Sequence, residues 1–211
     1  MKIRPPEARL PRLQRRTLLA VAALAGLPGI ATAAPALELG TLAAMLAERK
    51  SAESKFTEER IVSGLDGPLR SSGTLSFRAP DHFARHTLEP RAESMVVDGN
   101  TVSIRRGGRT RQMALDAIPE LTALIEAVRG TLTGNASTLE KHFRVQVGGS
   151  AAQWTLTLVP RDGRLASQVR ELQIVGQRGE LRTLELSMAG GDRSLMTIEP
   201  IPPAVPASAA R

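Results

Sequence analysis

From residue 66 to residue 192 the chain is cut at short intervals by residues that tolerate a positive φ: Asp66-Gly67-Pro68, Asp98-Gly99-Asn100, Gly107-Gly108, Asp162-Gly163, Arg178-Gly179 and Gly190-Gly191-Asp192. Glycine, asparagine and aspartate fit the tight turns that reverse a strand, so each cluster predicts a hairpin. Between the turns apolar residues recur with a period of two. In Leu69 to Ala79, for instance, Leu69, Gly73, Leu75, Phe77 and Ala79 share one face while Arg70, Ser72, Thr74, Ser76 and Arg78 share the other. Trp154, Leu156 and Leu158 alternate in the same way, as do Leu172 with Ile174 and Leu184 with Leu186 and Met188. A chain patterned like this folds as a long antiparallel meander of about 11 strands.

Two departures from period two predict helices. Leu37 to Lys50 carries Leu39, Leu42, Ala43, Leu46 and Ala47 at helical spacing, with Glu48, Arg49 and Lys50 at the end. In mid-chain, Asp116-Ala117-Ile118-Pro119-Glu120 opens a helix with proline and an acid in its first turn. Ile118, Leu121, Leu124, Ile125, Val128 and Leu132 then form one apolar stripe. A short helix from Ser137 to His142 follows Gly134-Asn135. A curved sheet has a concave apolar face that must be covered, and the helix from Ile118 to Leu132 is the expected cover. The plain reading is a permanent core; the functional one is that the cover opens and the face accepts an acyl chain. Walls of leucine, valine, isoleucine and methionine suit flexible alkyl chains, and only four phenylalanines and one tryptophan occur.

The first 33 residues read as an export signal. Lys2, Arg4, Arg9, Arg12, Arg15 and Arg16 precede an 11-residue apolar run from Thr17 to Leu27, and Ala31-Thr32-Ala33 offers a cleavage site. That run is short of the roughly 20 apolar residues that span a bilayer. Arg15-Arg16 leaves the twin-arginine route open beside the general one. The signal holds six of the 28 basic residues and one of the 21 acidic ones, so cleavage near Ala33 takes the formal charge from +7 to +2. The basic excess that would suggest nucleic acid leaves with it. With no cysteine, the released chain has neither disulfides nor a thiol for lipid attachment. Residues 34–199 are expected to form one domain, and 200–211, rich in proline and alanine, a disordered tail.

Searches for catalytic chemistry find nothing. There is no G-x-S-x-G, S-x-x-K, phosphate-binding glycine loop, dinucleotide fingerprint or H-E-x-x-H, so no catalytic residue and no cofactor is assigned. His82 and His86 stand four apart in extended sequence with no third ligand, which fits surface histidines and no metal. Arg105, Arg106, Arg109 and Arg111 surround the Gly107-Gly108 turn without the aromatic residues of a nucleic-acid platform. Glu58-Glu59 and Glu89 with Glu93 read as acids on exposed strand faces.

Phe56-Thr57-Glu58, Gly73-Thr74-Leu75, Pro80 with Phe83, and the run from Glu89 to Thr101 follow one another between about residues 52 and 103, and in order and spacing they resemble a known family, the periplasmic lipoprotein carrier LolA. Phe56-Thr57-Glu58 is similar to that family's first-strand F-T-Q, Gly73-Thr74-Leu75 to its G-x-L, and Pro80 with Phe83 to its R-P-x-x-F turn. Glu89-Pro90-Arg91-Ala92-Glu93-Ser94-Met95-Val96-Val97-Asp98-Gly99-Asn100-Thr101 resembles its P-x-E-S…V-x-D-G-x-T segment. The resemblance implies an incomplete antiparallel β-barrel under a helical lid, over a cavity for acyl chains, in a protein that is not an enzyme. It implies a monomer in the periplasm that carries a lipidated protein or free lipid from an inner-membrane donor to an outer-membrane acceptor. Alternation then names Leu75, Phe77, Phe83, Trp154, Leu156, Leu158, Leu172, Ile174, Leu184 and Leu186 as wall residues, and Leu121, Leu124, Ile125 and Val128 as lid residues. Two positions depart from the pattern. The family's lid-holding arginine before the proline falls on Ala79, with Arg78 on the opposite strand face, and Ser103 stands where the family has an aromatic. The cargo expected is therefore a lipoprotein or another lipid, such as a fatty-acid-derived or polyene one. Two rivals are a domain that senses lipid or lipoprotein for a membrane-bound regulator, and an enzyme of lipid assembly.

Overall fold

The period-two segments pair into a single antiparallel sheet in the computed structural model, which describes residues 37–202. The expected signal over 1–33 and the tail beyond 202 lie outside the described residues. Helix α1 (Leu39–Ala47) is followed by β1 (Ser51–Ile61), β2 (Leu69–Arg78), β3 (His82–Glu89), β4 (Glu93–Asp98), β5 (Thr101–Arg106) and β6 (Arg109–Ala114). A short 3₁₀ turn leads into α2 (Pro119–Thr133) and α3 (Ala136–His142). The chain ends with β7 (Phe143–Ser150), β8 (Gln153–Pro160), α4 (Gly163–Gln168), β9 (Val169–Gln177), β10 (Glu180–Met188) and β11 (Arg193–Pro200).

The strand order is β6-β5-β4-β3-β2-β1-β11-β10-β9-β8-β7. The expected single meander is thus two meanders, joined where the first strand pairs with the last through Phe56 opposite Ile198 and Glu58 opposite Met196. β6 and β7 are the two edges, and the helices between them in sequence interrupt the circuit. The result is a mainly β fold of the kind the resemblance implies: an incomplete barrel whose sheet does not close, covered by helices.

Asp162-Gly163, expected to be a hairpin turn, instead starts α4. Aspartate serves both purposes. Its Oδ1 accepts the backbone N–H of Arg164 at 3.0 Å and of Leu165 at 3.1 Å, an N-cap that lets Leu165 bury in the core. Helix α2 stops at Gly134, whose φ of 67° is left-handed, and a Cβ there would stand 2.0 Å from the Ala43 carbonyl oxygen. The same glycine therefore ends α2 and lets it approach α1 closely.

One end of the concave face is a dry core. Trp154, Leu156, Leu158 and Ile174 are each 0% exposed and pack with Leu42 and Leu46 of α1, Leu139 of α3 and Leu165 of α4. The indole N–H donates to the Arg178 carbonyl at 2.7 Å. Gly176 opposite leaves room for the ring, since a Cβ there would fall 2.1 Å from it.

Candidate functional site

Between that core and a second packed cluster of Val97, Val102, Leu115 and Ile125, the face is not filled. Between it and α2 lies a cavity of about 380 Å³, within the range of ligand pockets. It follows β1 from Ala52 to Arg60, roughly 27 Å at about 3.4 Å per residue. Leu75, Phe77 and Phe83 line one side and Leu172, Leu184 and Leu186 the other, with Leu121, Leu124, Ile125 and Val128 of α2 above. All four expected lid residues and six of the expected wall residues thus meet at one cavity. Trp154, Leu156, Leu158 and Ile174 do not reach it, because the leucines of α1, α3 and α4 already occupy the space above them. Met95, Met196, Ile198, Leu46 and Leu132 also line it; the sequence signal for the first three is the same period-two alternation, and Leu46 and Leu132 belong to the two expected helical stripes.

Helix α2 is tied at several points. Thr122 Oγ1 donates to the Leu115 carbonyl at 2.6 Å, Thr131 is fully buried, and Ala127 is 0% exposed. Arg129, ion-paired with Glu126, donates from Nη2 to the Gly99 carbonyl at 2.8 Å and so fastens the helix to the β4–β5 turn. Ala79 has no side chain to do this and Arg78 is exposed. The arginine that bridges helix and sheet here comes from the helix.

Glu58 corrects the expectation of an exposed acid. Its side chain lies on the same face of β1 as Ser54 and Phe56, and the residue is 8% exposed. Oε1 accepts the Ser194 hydroxyl at 2.5 Å, and Oε2 accepts Ser71 at 3.1 Å and Arg85 Nη2 at 2.5 Å. Burial alone would raise its pKa. The bonds from Ser194, Arg85 and Ser71, with the charge of Arg85, outweigh burial and hold the carboxyl below its ordinary value. What marked it in the sequence was Phe56-x-Glu58, two residues on one face of a strand that has to bury that face.

His86 is exposed, and His82 Nδ1 lies 4.0 Å from Asp98 Oδ1. Among the described residues no three histidine, cysteine or acidic side chains are placed to hold a metal. Arg105, Arg106, Arg109 and Arg111 are exposed on the β5–β6 hairpin, where Arg106 pairs with Glu93. No helix among the described residues is long and apolar enough to cross a membrane.

The model for the family described as outer membrane lipoprotein carrier protein LolA-like matches residues 31–199. The chain belongs to that family. Comparison with curated proteins gives no match. Among solved structures, this LolA-like chain is similar to a LolA superfamily protein from Nitrosomonas europaea at 8% identity and a TM-score of 0.41, covering 77% of this chain and 92% of that one. It is similar to the MucA/MucB complex of Pseudomonas aeruginosa at 18% identity and a TM-score of 0.42, over 76% of this chain and 55% of that one, so it spans about half that relative's length. A third likeness is to LprF from Mycobacterium bovis, at 10% identity and a TM-score of 0.35, over 82% and 97%.

Proposed function

We propose that this LolA-like protein is a periplasmic carrier that holds the acyl chains of a lipoprotein or another lipid in its cavity and moves them toward the outer membrane. The observation that carries the proposal is the unfilled apolar space along β1, roofed by the apolar stripe of α2. Apolar side chains normally fill such space in a folded core. Each CH₂ exposed to water costs about 0.8 kcal/mol, so a long chain crosses an aqueous compartment only inside a carrier. Binding and release need no catalytic group, and α2 is the element that admits the chain. The expected export signal supplies the address, and a membrane-bound donor and acceptor complete the route.

Native mass spectrometry of the exported protein, followed by lipid extraction, tests this. The protein should carry an acyl species, and Leu124→Asp, which puts a charge in the roof, should deplete it. A protein that stays empty and takes up no fluorescent fatty acid contradicts the proposal.

A further inference from the structure

The carrier reading leaves the polar groups of the cavity without a role. An ion pair removed from water is often no more stabilising than apolar residues of the same volume. Glu58 and Arg85 nonetheless stand among the residues that line this apolar space.

The two partners are satisfied differently. Both oxygens of Glu58 are taken, by Ser194, Ser71 and Arg85. Arg85 gives Nη2 to Glu58, has Nε 3.4 Å from Thr87 Oγ1, and holds its guanidinium carbon 4.6 Å over the centre of the Phe56 ring. Carboxylate and ring together fix the plane of the guanidinium. Its Nη1 makes no hydrogen bond and is not sealed off, since among the described residues the buried side-chain nitrogen or oxygen without a partner is Arg182 Nε, which does not line the cavity. Two N–H donors therefore remain for whatever enters.

Charge points the same way. Three arginines, Arg49, Arg60 and Arg85, line the cavity against two glutamates, Glu58 and Glu180. Glu180 is bonded by Arg49 at 2.9 Å and by Arg182 at 2.7 Å. Arg60, two residues from Glu58 on the same face of β1, forms no ion pair among the described residues. The cavity is apolar with one positive charge in excess.

We propose that Arg85, oriented by Glu58 and Phe56, forms with Arg60 a head-group site for a single-chain amphiphile ending in an anionic oxygen acceptor, carboxylate or phosphate, whose alkyl chain lies along the leucine walls. This rests on the carrier reading, because the walls it uses are the ones assigned to the acyl chain. The site selects among lipids by their head, where the walls alone select only for length and flexibility.

Displacement of the neutral probe N-phenylnaphthylamine from the delipidated protein by lauric acid, lauroyl lysophosphatidate and methyl laurate tests it. At least one anionic ligand should displace the probe at a concentration about ten-fold or more below that of the methyl ester, the margin of a charge-assisted hydrogen bond. Which anion is stronger tells carboxylate from phosphate. The margin should vanish in the double variant Glu58→Gln/Arg85→Met, which leaves neither charge stranded, and shrink in Arg60→Gln. Equal displacement by the ester and both anions in the unaltered protein overturns the head-group site, needs no variant to fold, and leaves the carrier reading standing. A margin that survives in both variants also overturns it. Failure of all three ligands together with the probe overturns the carrier reading itself.

Discussion

Two stretches of one concave face are finished differently. Over β8 and β9, Trp154, Leu156, Leu158 and Ile174 meet leucines from three helices and are sealed. Over β1, β2, β3 and β10, residues of the same kind at the same period meet mainly the stripe of α2, with Leu46 of α1 at one side, and a cavity remains. Alternation decides which side of a strand is apolar. Whether that side becomes a core or a container depends on how many side chains the covering helices bring to it.

The largest effect that would sharpen this contrast is expected at the sealed end. Trp154→Ala removes the ring that Gly176 accommodates and the bond to Arg178, and should cost about 3–5 kcal/mol in urea unfolding. A cost near that of a surface substitution would break the comparison.

Next comes the charged exception within the open part. Glu58→Ala strands Arg85, and the loss should be about 3 kcal/mol, the lower end of the cost of breaking a buried pair. It has a pH signature. Because the folded-state pKa of Glu58 is depressed, its contribution is present above the ordinary glutamate value and is lost as pH falls through the depressed one. The stability difference between the natural protein and Glu58→Gln should therefore be constant near neutrality and shrink on acidification; a difference that grows toward low pH would be the wrong sign.

Smaller still is the effect expected on the cavity wall. Leu184 is only half-buried and borders space already empty, so Leu184→Ala should cost about 1 kcal/mol, well below an ordinary core truncation. It should lower lipid retention more than it lowers stability. Least of all is the tie on α2: Arg129→Ala removes the bond to the Gly99 carbonyl and the pair with Glu126, should cost about 0.5–1 kcal/mol, and should speed release of a bound fluorescent fatty acid by several-fold.

The turns and the period-two pattern were enough to read the strands and their number, and the Ile118 to Leu132 stripe was enough to read the cover. Three features were not legible for physical reasons. Asp162-Gly163 is chemically suited to both a hairpin and a helix cap, and only the burial of Leu165 decides between them. The pairing of β1 with β11 joins residues more than a hundred positions apart, which no local signal encodes. Glu58 was read as exposed because its partners, Ser71, Arg85 and Ser194, come from β2, β3 and β11. For the candidate site, the expected wall residues share the sheet face that the helices cover, yet alternation alone gives no means of separating Leu172, which borders the cavity, from Ile174, which is sealed.

Methionine methyl groups allow the most direct test of the division of the face. Met95 and Met196 border the cavity, while Met45 and Met188 pack against the sealed core. Methyl NMR spectra of methionine-labelled protein, recorded as lauric acid is added, should show the Met95 and Met196 signals shifting as the ligand saturates, with those of Met45 and Met188 nearly unmoved. Shifts confined to Met45 and Met188, or no saturable shift at any of the four, would contradict an acyl-binding cavity along β1.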